Sequence, residues 1–141
     1  MLLTSFTTVA LVMGSAGLRG TIPEHFTALD NLAVLDFGEN ALTGTLPTNL
    51  LGLSNLDIVR LRTNKISGEV AVRGFTVPAC LDVSDNDISS VSEDQCPAIF
   101  GDNSVLITTC DSDQCDCCTC VDQVDDVCRD AMIAFILNQF S

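Results

Sequence analysis

The 141-residue sequence predicts a single solenoid domain, built from coils of about 24 residues and closed by a disulfide-rich C-terminal cap and a short helix. Three observations lead there. An apolar motif recurs at a near-constant interval between residues 11 and 107. The hydrophobic content of 47% is mostly aliphatic, with aromatics at 5% and all of them Phe. Seven of the eight cysteines follow residue 95, so they staple one end of the chain and not its whole length. A core of Leu, Val and Ile, side chains of similar size, suits layers that repeat.

The interval is set by Leu35-x-Phe37-x-x-Asn40-x-Leu42-x-Gly44-x-Leu46-Pro47. Moving 24 residues forward brings Val59, Leu61, Asn64, Ile66, Gly68 and Val70 to the same offsets. Moving 24 back brings Leu11, Met13, Ala16, Leu18, Gly20, Ile22 and Pro23. The linking stretches agree, Phe26, Leu29 and Leu32 matching Leu50, Leu53 and Leu56. The next coil is two residues shorter, with Leu81, Val83, Asn86 and Ile88. Val105 and Ile107 open a degenerate fifth coil, with Cys110 at the Asn offset. Residues 1–110 are therefore expected to form the solenoid, and 111–141 the acidic cysteine-rich cap and C-terminal helix.

Each offset has a physical reason. Leu35-x-Phe37 alternates at period two, which turns both side chains to one side of a short strand. An Asn amide ending that strand can bond the backbone of its own turn and of the neighbouring coil. Leu42 and Ile66 then return inward. Gly44 and Gly68 permit a bend that a side chain would crowd, and Pro23 and Pro47 stiffen the far side. One coil cannot bury its own apolar edge, whereas stacked coils share a core. At about 4.8 Å per strand, five coils make a body roughly 25 Å tall.

This spacing resembles the plant-type leucine-rich repeat, strongly over about residues 5–92 and weakly over 93–110. The resemblance implies a right-handed coil with short parallel strands on its concave face. Ala16 departs from the pattern where Asn belongs, Ala71 where Pro does, and Ser90 occupies the Gly position of the fourth coil. Residues 2–13 are apolar enough to read as a targeting segment, with Gly14-Ser15-Ala16 as its cleavage region, but no Lys or Arg stands between Met1 and that stretch and the repeat register runs through it. A first repeat is the favoured reading. No stretch reaches the roughly 18–20 apolar residues that a membrane-spanning helix needs.

Residues 110–128 read Cys-x4-Cys-x-Cys-Cys-x-Cys-x7-Cys. With Cys80 and Cys96, the cysteines Cys110, Cys115, Cys117, Cys118, Cys120 and Cys128 make an even number. Disulfides are favoured over zinc, because Cys-x-Cys-Cys-x-Cys is not the usual Cys-x2-Cys ligand spacing. Cys96 and Cys110 are expected to pair across the last turn, and the others to link locally behind it. Cys80 is the uncertain member, pairing with the cap or staying free. Disulfides imply an oxidising compartment. The run Cys-Asp-Cys-Cys-Thr-Cys resembles the C-terminal cap of leucine-rich-repeat proteins from diatoms and related algae, which implies an extracellular or membrane-attached protein. From Asp122 onward, Val124, Cys128, Met132, Phe135 and Gln139 share one side of a 3.6-residue period, predicting a short helix that packs back on the cap.

The net charge of −13 is uneven: residues 82–141 hold one Arg against thirteen Asp or Glu. Such a surface repels phosphate backbones, so nucleic acid is not an expected partner. No His-Glu-x-x-His, Gly-Lys phosphate loop, Gly-x-Ser-x-Gly or Gly-x-Gly-x-x-Gly is present, and no cofactor or enzymatic activity is expected. What remains is recognition. The outward residues of the strand–turn segments are Asp36 and Glu39, then Arg60, Arg62 and Thr63, then Asp82, Ser84 and Asp85, at equal offsets in successive coils. Acid, base and acid in turn suggest a mixed-charge protein or peptide ligand. A second reading is a structural or adhesion component of the cell surface whose acidic end, around Asp111, Asp113, Asp116, Asp122, Asp125 and Asp126, binds divalent cations. Oligomeric state is not indicated.

Overall fold

A computed structural model describes residues 10–70, 80–91, 105–108, 119–120 and 127–139. Its strands are β1 (Ala10–Val12), β2 (Arg19–Thr21), β3 (Val34–Asp36), β4 (Ala41–Gly44), β5 (Ile58–Arg60), β6 (Lys65–Val70), β7 (Cys80–Asp82), β8 (Asp87–Val91), β9 (Val105–Thr108) and β10 (Thr119–Cys120), followed by helix α1 (Val127–Gln139). Odd-numbered strands stack in the order β1-β3-β5-β7-β9, with β10 added at the end, as a six-stranded parallel sheet. Strands β2, β4, β6 and β8 form a second, four-stranded parallel sheet. The chain is a leucine-rich-repeat-like solenoid with a disulfide near its end and a short C-terminal helix. Residues 10–22 form one of its coils, since Leu11 pairs in register with Leu35 just as Leu35 does with Val59.

The predicted repeat residues sit where stacking needs them. Leu35, Phe37, Leu42, Val59, Leu61, Ile66, Leu81, Val83 and Ile88 are buried in one cluster between the two sheets. Leu32, Leu50, Leu53 and Leu56 close it from the linking stretches, two of which contain short 3-10 helices at Glu24–Ala28 and Leu50–Gly52. The first follows Pro23 directly and the second starts three residues after Pro47, and each proline carbonyl accepts a turn bond: Phe26 N–H to Pro23 O at 3.1 Å and Leu50 N–H to Pro47 O at 3.0 Å. Phe26 meets Phe37 edge-on, with ring centres 5.6 Å apart.

The asparagines form the expected ladder. Asn64 donates to the carbonyls of Phe37, Leu61 and Arg62 and accepts from the Leu42 N–H, so one amide ties its own turn to the coil before it. Asn86 repeats the pattern one coil later, on Leu61, Val83, Ser84 and Ile66. Asn40 also accepts from the N–H groups of Ala16 and Leu18, which supports the coil that lacks an Asn of its own.

The glycine offset is equally specific. Gly44 has φ +78° and Gly68 φ +88°, and a Cβ on either would fall within 3 Å of a threonine methyl, that of Thr21 or of Thr45. Gly20 has φ +86° with nothing within 4 Å. Gly44→Ala is therefore expected to cost about 2 kcal/mol and Gly20→Ala about half of that, because only the first adds a collision to the backbone penalty. Thermal unfolding followed by circular dichroism would show equal losses if crowding contributed nothing. Where Ser90 replaces the glycine, the register between β6 and β8 shifts between Gly68 and Glu69, and Ser90 lies opposite Glu69.

One cysteine expectation changes. Cys128 does not link locally: it bonds Cys80, 48 residues away, with Cα atoms 5.5 Å apart. Helix α1 accordingly packs against β5 and β7 of the solenoid; residues 111–118 and 121–126 of the cap, on which it was expected to pack, lie outside the described residues. Cys80 pairs with the C-terminal segment, one of the two outcomes foreseen for it. The side chains of Cys96, Cys110, Cys115, Cys117, Cys118 and Cys120 lie outside the described residues, and Cys120 contributes its backbone to β10.

Candidate interaction face

Alternation along the odd-numbered strands gives the six-stranded sheet an inner side and an outer side. Leu35, Val59 and Leu81 point into the core, so their flanking residues point out, and register places these in rows. Val34, Ile58 and Cys80 form the first row, and Asp36, Arg60 and Asp82 the second. Gly38, Arg62 and Ser84 continue outward as a third, and Glu39, Thr63 and Asp85 reach the rim.

The first row is covered. Val34, Ile58 and Cys80 form a second apolar cluster with Cys128 and Met132 of α1, and Ala131, Phe135 and Ile136 pack beside it. Cys128, Met132 and Ile136 recur every fourth residue, which lines them along one side of the helix. The opposite side is left open, with Ile133 46% and Leu137 64% exposed. Of these contact residues, Val34 and Ile58 were absent from the sequence-based site. A signal for them exists: three outward positions at one offset are all apolar, whereas a sheet face bathed in water would carry polar side chains there.

The second row holds predicted site residues, and its charges are turned on each other. Asp36 is 3% exposed, Arg60 8% and Asp82 1%, and Ser84 of the third row is fully buried as well. Arg60 Nη1 lies 3.2 Å from Asp36 Oδ2 and 3.3 Å from Oδ1, one charged nitrogen shared between both carboxylate oxygens. Gly38 makes that position possible, since a Cβ there would stand 3.0 Å from Arg60 Nη1. Asp36 Oδ1 accepts the Gly38 N–H, and Asp82 Oδ1 accepts both the N–H and the hydroxyl of Ser84, the latter at 2.6 Å. Burial without such partners would be costly for each carboxylate.

The rim is more open. Glu39, Thr63 and Asp85 are exposed, and Arg62 is half-buried. Glu39 accepts from the Ser15 hydroxyl at 2.8 Å and approaches Arg60 Nη2 at 3.6 Å. Arg62 Nη2 lies 3.8 Å from Asp85 Oδ2, a solvent-screened contact that a partner could replace at little cost. Ser15, Glu39, Thr63 and Asp85 all have positive φ, between 53° and 57°, and occupy one offset in four coils. Continuous backbone bonding holds them: Glu39 N–H to Arg62 O and Thr63 N–H to Ser84 O, then Asn40 N–H to Thr63 O and Asn64 N–H to Asp85 O.

Neither a protein-family model nor a curated protein matches this sequence. The face must therefore be read from its own chemistry. Among the described residues, no group of three or more His, Cys, Asp or Glu is placed to hold a metal ion, and no helix is long and apolar enough to cross a membrane. The acidic residues from Asp111 to Asp126 lie outside the described residues. What the rows offer is fixed spacing, an apolar strip, a buried strip of hydrogen-bonded charges and a hydrogen-bonding rim.

Proposed function

We propose that the chain is a non-catalytic recognition module that binds a protein or peptide through the outer face of its six-stranded sheet. The observation that supports this most directly is the seating of α1. A 13-residue helix already rests on the Val34–Ile58–Cys80 row, so the face has the shape and apolar surface to hold a peptide segment. Beside it, the rim residues Glu39, Arg62, Thr63 and Asp85 supply charge and hydrogen bonds at intervals set by the backbone ladder. Central apolar contact with a polar rim is the usual division of labour in protein interfaces. The Cys80–Cys128 disulfide favours an oxidising compartment, and we place the module outside the cell or at its surface.

Peptides selected from a random displayed library on the intact protein would test the assignment. Reversing the rim charges, with Arg62→Glu and Asp85→Arg, should weaken the selected peptides by about tenfold or more, equivalent to about 1.4 kcal/mol. Both residues lie outside the apolar core, so the variant should keep its fold and its circular dichroism. Unchanged affinity in a folded variant would remove this face from the assignment.

A further inference from the structure

The face that we assign to recognition is occupied by part of the same chain, and a covalent bond holds that part in place. We infer that α1 is an internal stand-in for the ligand, locked by Cys80–Cys128, and that the partner is an amphipathic helix which takes its place once a dithiol reductant opens the bond. This inference rests on the recognition reading and specifies its partner and its control.

Three features support it. The first is how little apart from the disulfide holds α1 down. Of its described side chains only Cys128 and Met132 are buried, while Ile133 and Leu137 face water. A 13-residue helix is marginal by itself in water, so α1 depends on being docked. The second is the position of the lock. Cys80 belongs to the covered row itself, in register with Ile58, so the bond fixes the helix directly over the apolar strip. The third is access. Both sulfur-bearing residues are buried, but Cys128 is the second residue of α1, in the terminal turn, where local opening of a helix costs least.

The exchange balances. A thiolate of the dithiol attacks one sulfur, the displaced cysteine thiolate takes up a proton, and the second thiol of the reagent then closes its own disulfide. Cys80 and Cys128 are left as thiols and the reagent is oxidised. Release bares Val34 and Ile58 beside the Asp36–Arg60 pair. The segment that fits is the one now there: apolar residues every fourth position, as in Cys128, Met132 and Ile136, flanked by side chains like Ala131 and Phe135. This is a helix-in-groove mode of recognition.

The test uses the full chain. One variant, Cys80→Ser with Cys128→Ser, removes the lock; a second adds Met132→Asp to expel the helix from the apolar row. Hydrogen exchange of residues 129–139 should be at least about tenfold faster in the first variant than in the wild type, with β3 and β5 still protected as proof of fold. A fluorescent peptide of residues 127–139 carrying Cys128→Ser should gain anisotropy with the second variant and not with the oxidised wild type. A scrambled peptide should bind neither. Equal protection of 129–139 with and without the bond would overturn the lock. A released helix together with a face that fails to bind the peptide would instead overturn the recognition reading and its helical partner, leaving the lock intact.

Discussion

Arg60→Met is expected to destabilise the protein by about 3–5 kcal/mol, far more than the loss of a surface charge. The guanidinium sits among buried groups 3.2 Å from the Asp36 carboxylate, and removing it strands that carboxylate without a counter-charge. Adding Asp36→Asn should restore most of the loss. The amide keeps an oxygen for the Gly38 N–H and carries no charge to strand. Urea unfolding followed by circular dichroism is the suitable measurement, since the chain has no Trp or Tyr to report by fluorescence. If Asp36→Asn brought no recovery, the stranded carboxylate would not be the cause. Binding data need the same care: lost affinity in an Arg60 variant reflects a damaged scaffold before it reflects a missing contact.

Asn64→Ala should cost about 3 kcal/mol, close to the loss expected for a large core side chain. The amide spans two coils: its two N–H groups are shared among three backbone carbonyls, that of Arg62 the farthest at 3.4 Å, and its oxygen accepts from the Leu42 N–H. Alanine leaves the Phe37, Leu61 and Arg62 carbonyls and the Leu42 N–H without that partner. Asn64→Asp separates the two roles. It retains the acceptor for Leu42 but sets a negative charge against three carbonyl oxygens, so it should be at least as damaging as alanine. A stability near that of wild type for Asn64→Asp would show that acceptance from Leu42, and not donation to the carbonyls, gives the residue its value.

The coils were legible in the sequence because their geometry is local. Leu35 meets Leu11 and Val59 at the 24-residue spacing that aligns the letters, while the second sheet runs at an offset of 22 that sets Leu42 opposite Gly20 and Gly44 opposite Ile66. The amphipathic side of α1 was legible too, through Cys128 and Met132. Its docking site was not. That depends on Cys80 finding Cys128 across 48 residues, and nothing in the spacing of eight cysteines selects this pairing. The face suffered from the same gap. Asp36, Arg60 and Asp82 were correctly aligned, but alternation says only that a side chain points away from the core. It cannot tell whether water, a neighbouring charge or a returning helix meets it there. The apolar row Val34, Ile58 and Cys80 held the clue, because outward aliphatic residues in register ask for a cover.

The left-handed residues of the four turns carry one more consequence. Ser15, Glu39, Thr63 and Asp85 share a backbone conformation that costs a side-chain-bearing residue about 1 kcal/mol, yet they have little else in common. Their conformation is imposed from outside, by bonds through the neighbouring coils, and not chosen by the residue itself. Exchanging Thr63 for Asp or Ser relieves a β-branched residue of part of that cost, while the group shown at the rim switches between hydroxyl and carboxylate. The solenoid thus has one writable position per coil, where the surface can be re-spelled without redrafting the fold, and binding preference can drift independently of stability.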